Sequence, residues 1–204
     1  MKAIEKTRIP VMEHFHTLQG EGQWSGAAAY FIRLAGCDVG CHWCDVKESW
    51  TVSEEQYVDV EELTAVAAAS GAPIAVITGG EPTMYDLGPL TRSLKARGMR
   101  THIETSGAHP FSGDFDWVTL SPKKFKAALP DYFALAQELK VIVYNKHDLA
   151  WGEEQAAQCD PAKTKFYLQP EWSRREDVER VIDYIKSHPH WHLSLQTHKY
   201  INIP

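Results

Sequence analysis

Ile74-Ala75-Val76-Ile77-Thr78-Gly79-Gly80-Glu81-Pro82 is a strand-length, mostly apolar run that breaks at a Gly-Gly pair, and residues 99–104 start a second such run that ends in Glu104-Thr105-Ser106-Gly107. Runs of this kind, alternating with helical patterns, mark a βα array on a largely parallel sheet. The same rhythm extends outward in both directions. Candidate strands fall at residues 11–16, 28–34, 74–78, 99–104, 117–120, 139–144, 166–169 and 192–195. Asp59-Val60-Glu61-Glu62 and Ser173-Arg174-Arg175-Glu176 have the spacing of helix N-terminal capping boxes. Gly71 and Gly98 stand where helix C-caps would be. Neither a repeat nor a Pro/Gly/Ser-rich linker divides the 204 residues, so one unit spanning 1–204 is expected. The predicted fold is α/β, a partial (βα) barrel of mostly parallel strands.

Parallel βα folds carry their chemistry at the C-terminal ends of the strands, where the βα loops converge. Five polar loops occupy that position: Gly36 to Trp50, Gly79-Gly80-Glu81-Pro82, Glu104-Thr105-Ser106-Gly107, Ser121-Pro122-Lys123 and Gln169-Pro170-Glu171. One rim and one large site follow.

A formal charge of −6 with a pI near 5.9 speaks against a general nucleic-acid binder, which needs clustered Lys and Arg to neutralise phosphates. A small-molecule substrate fits better. No apolar run approaches the roughly 20 residues of a membrane span, and the stretch from Met1 to Met12 lacks the apolar segment of a secretion signal. A cytoplasmic protein with no membrane partner is therefore expected. Of four cysteines, three lie within eight residues, which points to metal rather than to a disulfide scaffold. Cys159 stands apart in a polar stretch and reads as a non-ligand.

Cys37-Asp38-Val39-Gly40-Cys41-His42-Trp43-Cys44 has the form C-x3-C-x2-C. Iron–sulfur cubanes are usually held by four cysteines, so three leave one iron open to another ligand. The alternative is a structural zinc site with His42 as fourth ligand. The short tether of His42 between two of the cysteines makes a closed tetrahedron awkward.

This loop after an early strand, with Gly-Gly-Glu-Pro after the next, resembles the radical S-adenosylmethionine (SAM) superfamily. The resemblance implies a [4Fe-4S] cluster on Cys37, Cys41 and Cys44. Its open iron chelates SAM, whose reductive cleavage gives a 5′-deoxyadenosyl radical. The Gly79-Gly80 backbone can approach a ligand closely, Glu81 offers an acceptor for the SAM amino group, and Trp43 offers a face to the adenine. The implied SAM-facing set is completed by Asp45, Glu104, Ser121, Lys123, Gln169, Pro170, Glu171 and Trp172.

Phe15-His16-Thr17-Leu18-Gln19-Gly20-Glu21-Gly22, with Arg33, Cys44-Asp45, Thr78, His198 and Pro204, narrows the likeness to the 7-carboxy-7-deazaguanine synthase family. That resemblance implies conversion of 6-carboxy-5,6,7,8-tetrahydropterin to 7-carboxy-7-deazaguanine with loss of ammonia, within queuosine and 7-deazapurine biosynthesis. It also implies a homodimer and an electron donor such as flavodoxin or ferredoxin. The substrate-facing residues would be Leu18, Gln19, Gly20, Glu21, Arg33, Thr78, His198 and Pro204. The Leu18 to Gly20 backbone and the Gln19 amide would pair with the pterin edge, and Arg33, set in an apolar run, would grip the substrate carboxylate. Such enzymes commonly bind Mg²⁺ through a hydroxyl just after the Cys-Asp pair, where this chain has Val46. Either Mg²⁺ binds through Asp45, substrate and water, or it is dispensable, with Lys47 a candidate for the missing charge. Two rival readings remain: a glycyl-radical-enzyme activating protein, and a non-catalytic binding module stabilised by zinc.

Overall fold

The computed structural model describes residues 7–204, so residues 1–6 of the segment read for a secretion signal lie outside the described residues. Among the described residues nine strands form one sheet: β1 (Arg8–Leu18), β2 (Ala28–Leu34), β3 (Tyr57–Asp59), β4 (Ile74–Gly79), β5 (Arg100–Thr105), β6 (Trp117–Leu120), β7 (Glu138–Val143), β8 (Lys165–Pro170) and β9 (Trp191–Leu193). Their order is β3-β1-β2-β4-β5-β6-β7-β8-β9. β1 runs antiparallel to β2 and β3, and every neighbouring pair from β2 to β9 is parallel. β3 and β9 remain edges, which makes the sheet a partial barrel.

Among the described residues six α-helices accompany it: α1 (Val60–Ala69), α2 (Gly88–Ala96), α3 (Asp131–Leu135), α4 (His147–Ala156), α5 (Val178–Ser187) and α6 (Thr197–Ile201). The two-residue period of the strands sorts their side chains. Ile32, Leu34, Ala75, Ile77 and Ile103 face outward and pack with Leu63, Ala67, Leu90 and Leu94 of α1 and α2. Leu139, Val141, Val143 and Leu168 do the same with Leu149 of α4, Val181 of α5 and Trp191 of β9. Burying a side chain of Leu size is worth roughly 1.5–3 kcal/mol, so these two clusters anchor the helices to the sheet. The alternate residues of β2, β4, β5 and β7, among them Arg33, Thr78, Glu104 and Lys140, line the inner cavity. No helix among the described residues is long and apolar enough to cross a membrane.

Asp59 caps α1, its carboxylate accepting from Glu62 N–H at 3.0 Å, as its sequence spacing predicts. Gly71 and Gly98 follow α1 and α2 with φ of 77° and 80°. The second expected capping box does not form. Glu171 accepts from the Ser173 N–H, a 3-10 turn follows over Trp172–Asp177, and α5 starts only at Val178. β3 went unpredicted because three residues on an edge carry no readable period. Cys159 lies buried in the α4/α5 core rather than on a polar surface.

Candidate functional site

Cys37, Cys41 and Cys44 follow β2 in a loop whose base is tied to the next strand exit. Gly80 N–H donates to Leu34 O and Glu81 N–H to Gly36 O, both at 2.8 Å. The two glycines exist for this contact. A Cβ on Gly80 would lie 2.0 Å from Gly36 O, and one on Gly79, whose φ is 113°, would lie 2.4 Å from the Leu34 backbone. The close approach expected of Gly79-Gly80 is thus made to the cysteine loop itself. Glu81 also has a structural duty. It is buried, and its carboxylate already accepts from Thr83 N–H and Oγ1, Thr105 Oγ1, and Ser106 N–H and Oγ. Five donors meet it, so it locks the β4 and β5 exits together while still lining the cavity.

The three thiols face one another closely enough to interact electrostatically, against a wall of Val39 and Ala108. Burial raises the pKa of Cys37, and lifts that of Cys41 to about 11. Lys123 stands beside them, 5.8 Å from the Trp43 ring centre, and donates to Ser121 O and Oγ at 2.5 and 2.6 Å. Burial lowers its pKa.

These groups line a cavity of 330 Å³, within the roughly 300–1,000 Å³ range of small-molecule sites. It also reaches Leu18, Gln19, Gly20, Glu21, Arg33, Asp45, Val46, Thr78, Glu104, Gln169, Glu171, Trp172, His198 and Pro204. Pro170 is the exception. It ends β8 in register with Val143 and takes no part in the lining.

Several of these residues are engaged in ways the sequence did not announce. The Gln19 backbone N–H donates to Ala27 O and its C=O accepts from Gly26 N–H, each at 2.8 Å. Its side chain donates to Glu104 and accepts from Glu21 N–H. Gly20 O accepts from the N–H and the hydroxyl of Thr197. This segment therefore also closes the hairpin and docks α6 while it lines the cavity. Gly20 has a packing duty as well, since a Cβ there would lie 2.1 Å from His198 Nδ1. Burial lowers the pKa of His198, favouring the neutral ring. Arg33 lines the cavity with its Nε donated to Glu13 at 2.7 Å.

Lys140 was missed, although it is the hub of the interior. It is 3% exposed on β7 and donates to Glu21 and, at 2.9 Å, to Glu104. Burial opposes its charge, but Glu104, Glu21 and Glu138 override that and raise its pKa. For Glu104 burial is likewise the largest influence, and Lys140 and Gln19 outweigh it to lower the pKa. Glu21 also accepts from Gln196, which bridges to Asp45. The signal was present: Lys140 interrupts the apolar run 139–143 just as Arg33 interrupts its own.

The Radical SAM superfamily matches residues 31–136. The 7-carboxy-7-deazaguanine synthase of Flavobacterium psychrophilum is 50% identical, over 99% of this chain and 96% of that protein. The chain belongs to the 7-carboxy-7-deazaguanine synthase family. The synthase of Synechocystis is 49% identical over 95% of this chain and 93% of its own length. The crystal structure of QueE from Escherichia coli superposes with a TM-score of 0.84 at 37% identity, covering 94% of this chain and 95% of that one. A 7-carboxy-7-deazaguanine synthase is a radical SAM enzyme, so its family cofactors are a [4Fe-4S] cluster and SAM.

The cysteine loop fits such a cluster. Cys37, Cys41 and Cys44 all line the cavity, as three corners of a cubane require, while the ring of His42, the fourth ligand of the zinc reading, packs against Phe125 and Tyr144. Loading it must displace the protons that burial holds on Cys37 and Cys41.

Proposed function

We propose that this chain, acting as one radical SAM domain over 1–204, converts 6-carboxy-5,6,7,8-tetrahydropterin to 7-carboxy-7-deazaguanine with release of ammonia. The observation that carries this reading is the opening of the cysteine loop, the Leu18–Glu21 segment and the 196–204 tail onto one cavity. Cys37, Cys41 and Cys44 would hold the cluster, which with SAM supplies one-electron hydrogen-atom chemistry when bound. Trp43, Ser121, Lys123, Gln169, Glu171 and Trp172 form the cavity wall on which SAM would rest, with aromatic faces and polar groups in alternation. Phe15 and Phe31, stacked at 5.6 Å, give the opposite side an apolar wall for a flat heterocycle. Arg33, beside them, and neutral His198 supply donors to the substrate. A protein electron donor, a homodimer and a cytoplasmic location complete the proposal.

The test is anaerobic reconstitution with iron and sulfide, then incubation with SAM, reductant and the carboxytetrahydropterin. Formation of 7-carboxy-7-deazaguanine is expected, and Ala at Cys37, Cys41 or Cys44 should remove both cluster and product while Cys159→Ala keeps both. A colourless protein holding one zinc and no sulfide would overturn the proposal.

A further inference from the structure

The Mg²⁺ implied by the family does not fit this chain. Val46 lines the cavity with a side chain that has no oxygen. Oδ2 of Asp45, the neighbouring carboxylate, accepts from Lys199 Nζ at 2.5 Å and from Gln196 Nε2 at 3.2 Å. Mg²⁺ demands near-octahedral oxygen ligands at roughly 2.0–2.1 Å, and here one of the few available oxygens already serves an internal cation. Lys47, the lysine nearest in sequence, is not that cation. Its ammonium lies 5.9 Å from the Trp50 ring centre and does not line the cavity.

Lys199 does line it. Docking of Thr197 on Gly20 O fixes the first turn of α6, and Lys199 is held further by Gln196 Oε1 at 3.1 Å and the Trp172 ring at 5.1 Å. An ammonium group has three N–H donors, and Asp45 and Gln196 take two. The third is available to a ligand. The other lysines of the cavity also make two hydrogen bonds each, but Lys140 is balanced by two carboxylates, Glu21 and Glu104, and Lys123 stands beside the cysteines and Trp43. We infer that the Lys199 ammonium, seated on Asp45, stands where relatives place a divalent cation and binds the substrate carboxylate, so that turnover in this chain needs no Mg²⁺. This rests on the reaction proposed above.

The test uses the reconstituted enzyme with SAM. Mn²⁺ is titrated in as a Mg²⁺ surrogate, with and without the pterin, and its free fraction is read by electron paramagnetic resonance. No stoichiometric uptake is expected, and initial rates should change less than about twofold between excess EDTA and added Mg²⁺, well short of losing one charged interaction. Lys199→Met should raise KM about tenfold or more, the loss expected for one charged hydrogen bond, with Lys199→Arg restoring most of it. Lys199→Met combined with Val46→Thr should acquire both Mn²⁺ uptake and a Mg²⁺-dependent rate. One Mn²⁺ taken up by the unaltered enzyme, activity abolished by EDTA, or an unchanged KM in Lys199→Met would each overturn the inference. Failure to form product under every condition counts against the reaction itself, while Mn²⁺ uptake still decides the question of the cation.

Discussion

Removing the charge of Lys140 would leave Glu21 and Glu104, both only slightly exposed, without the cation they share. Breaking a buried ion pair by deleting one partner costs about 3–5 kcal/mol, so Lys140→Met should lower the apo protein's unfolding free energy by that order. Adding Glu104→Gln should recover part of the loss, because the two residues share one network. Urea denaturation of the single and double variants measures both, and additive losses would show that no such coupling exists. The residues that sequence reading located best were those whose chemistry breaks the local pattern, such as the cysteines and Arg33. Glu81 shows the limit of that reading. Its position beside Pro82 was legible, but the five donors that meet its carboxylate come from the β4 and β5 exits and could only be seen folded.

Gly80 belongs to the element scale, because it decides how the β4 exit lies on the cysteine loop. Gly80→Ala puts a methyl group 2.0 Å from Gly36 O, and backbone atoms cannot yield as a flexible side chain would. The two loops must separate, so iron and sulfide content after anaerobic reconstitution should fall well below that of the unaltered protein. Normal cluster content in Gly80→Ala would refute this packing role. The tail is the second element with a consequence. Thr17 Oγ1 donates to Pro204 O at 3.3 Å, and Pro204 lines the cavity. Thr17→Val removes that donor, so it should raise the substrate KM while leaving cluster content and SAM binding intact. A Thr17→Val protein with unchanged kinetics would separate the tail from substrate binding. Element boundaries were less legible than element types. The α5 start was misplaced because Glu171, just past the end of β8, takes the capping role that Ser173 has by spacing alone.

At the scale of the whole molecule, the inner face of the sheet stacks titratable groups whose balance sets pH dependence. Burial raises Glu138 from its ordinary 4.5 to about 7, despite the nearby Lys140 charge and the Gln23 N–H it accepts. A group that holds its proton more tightly when folded gives stability that is fully present below its unfolded pKa and lost as pH rises through the folded one. Glu104, lowered instead, contributes stability at neutral pH that is lost as pH falls through its folded value. Glu138→Gln should therefore flatten the decline in apo stability between about pH 5 and 7.5, read as urea midpoints across that range. A variant that keeps the parental slope would remove Glu138 as its source. What the sequence by itself determined was the βα rhythm, the rim of loops, the cluster of three cysteines and the family, because each is written in local periodicity or in spacing along the chain. What only the tertiary structure decided was the allocation of partners: Lys140 between Glu21 and Glu104, the Gln19 backbone on its own hairpin, and Lys199 on Asp45 across 154 positions. Hydrogen-bonding capacity is finite and is divided among groups that meet only when the sheet curls, so no local pattern records which of them a ligand will find free.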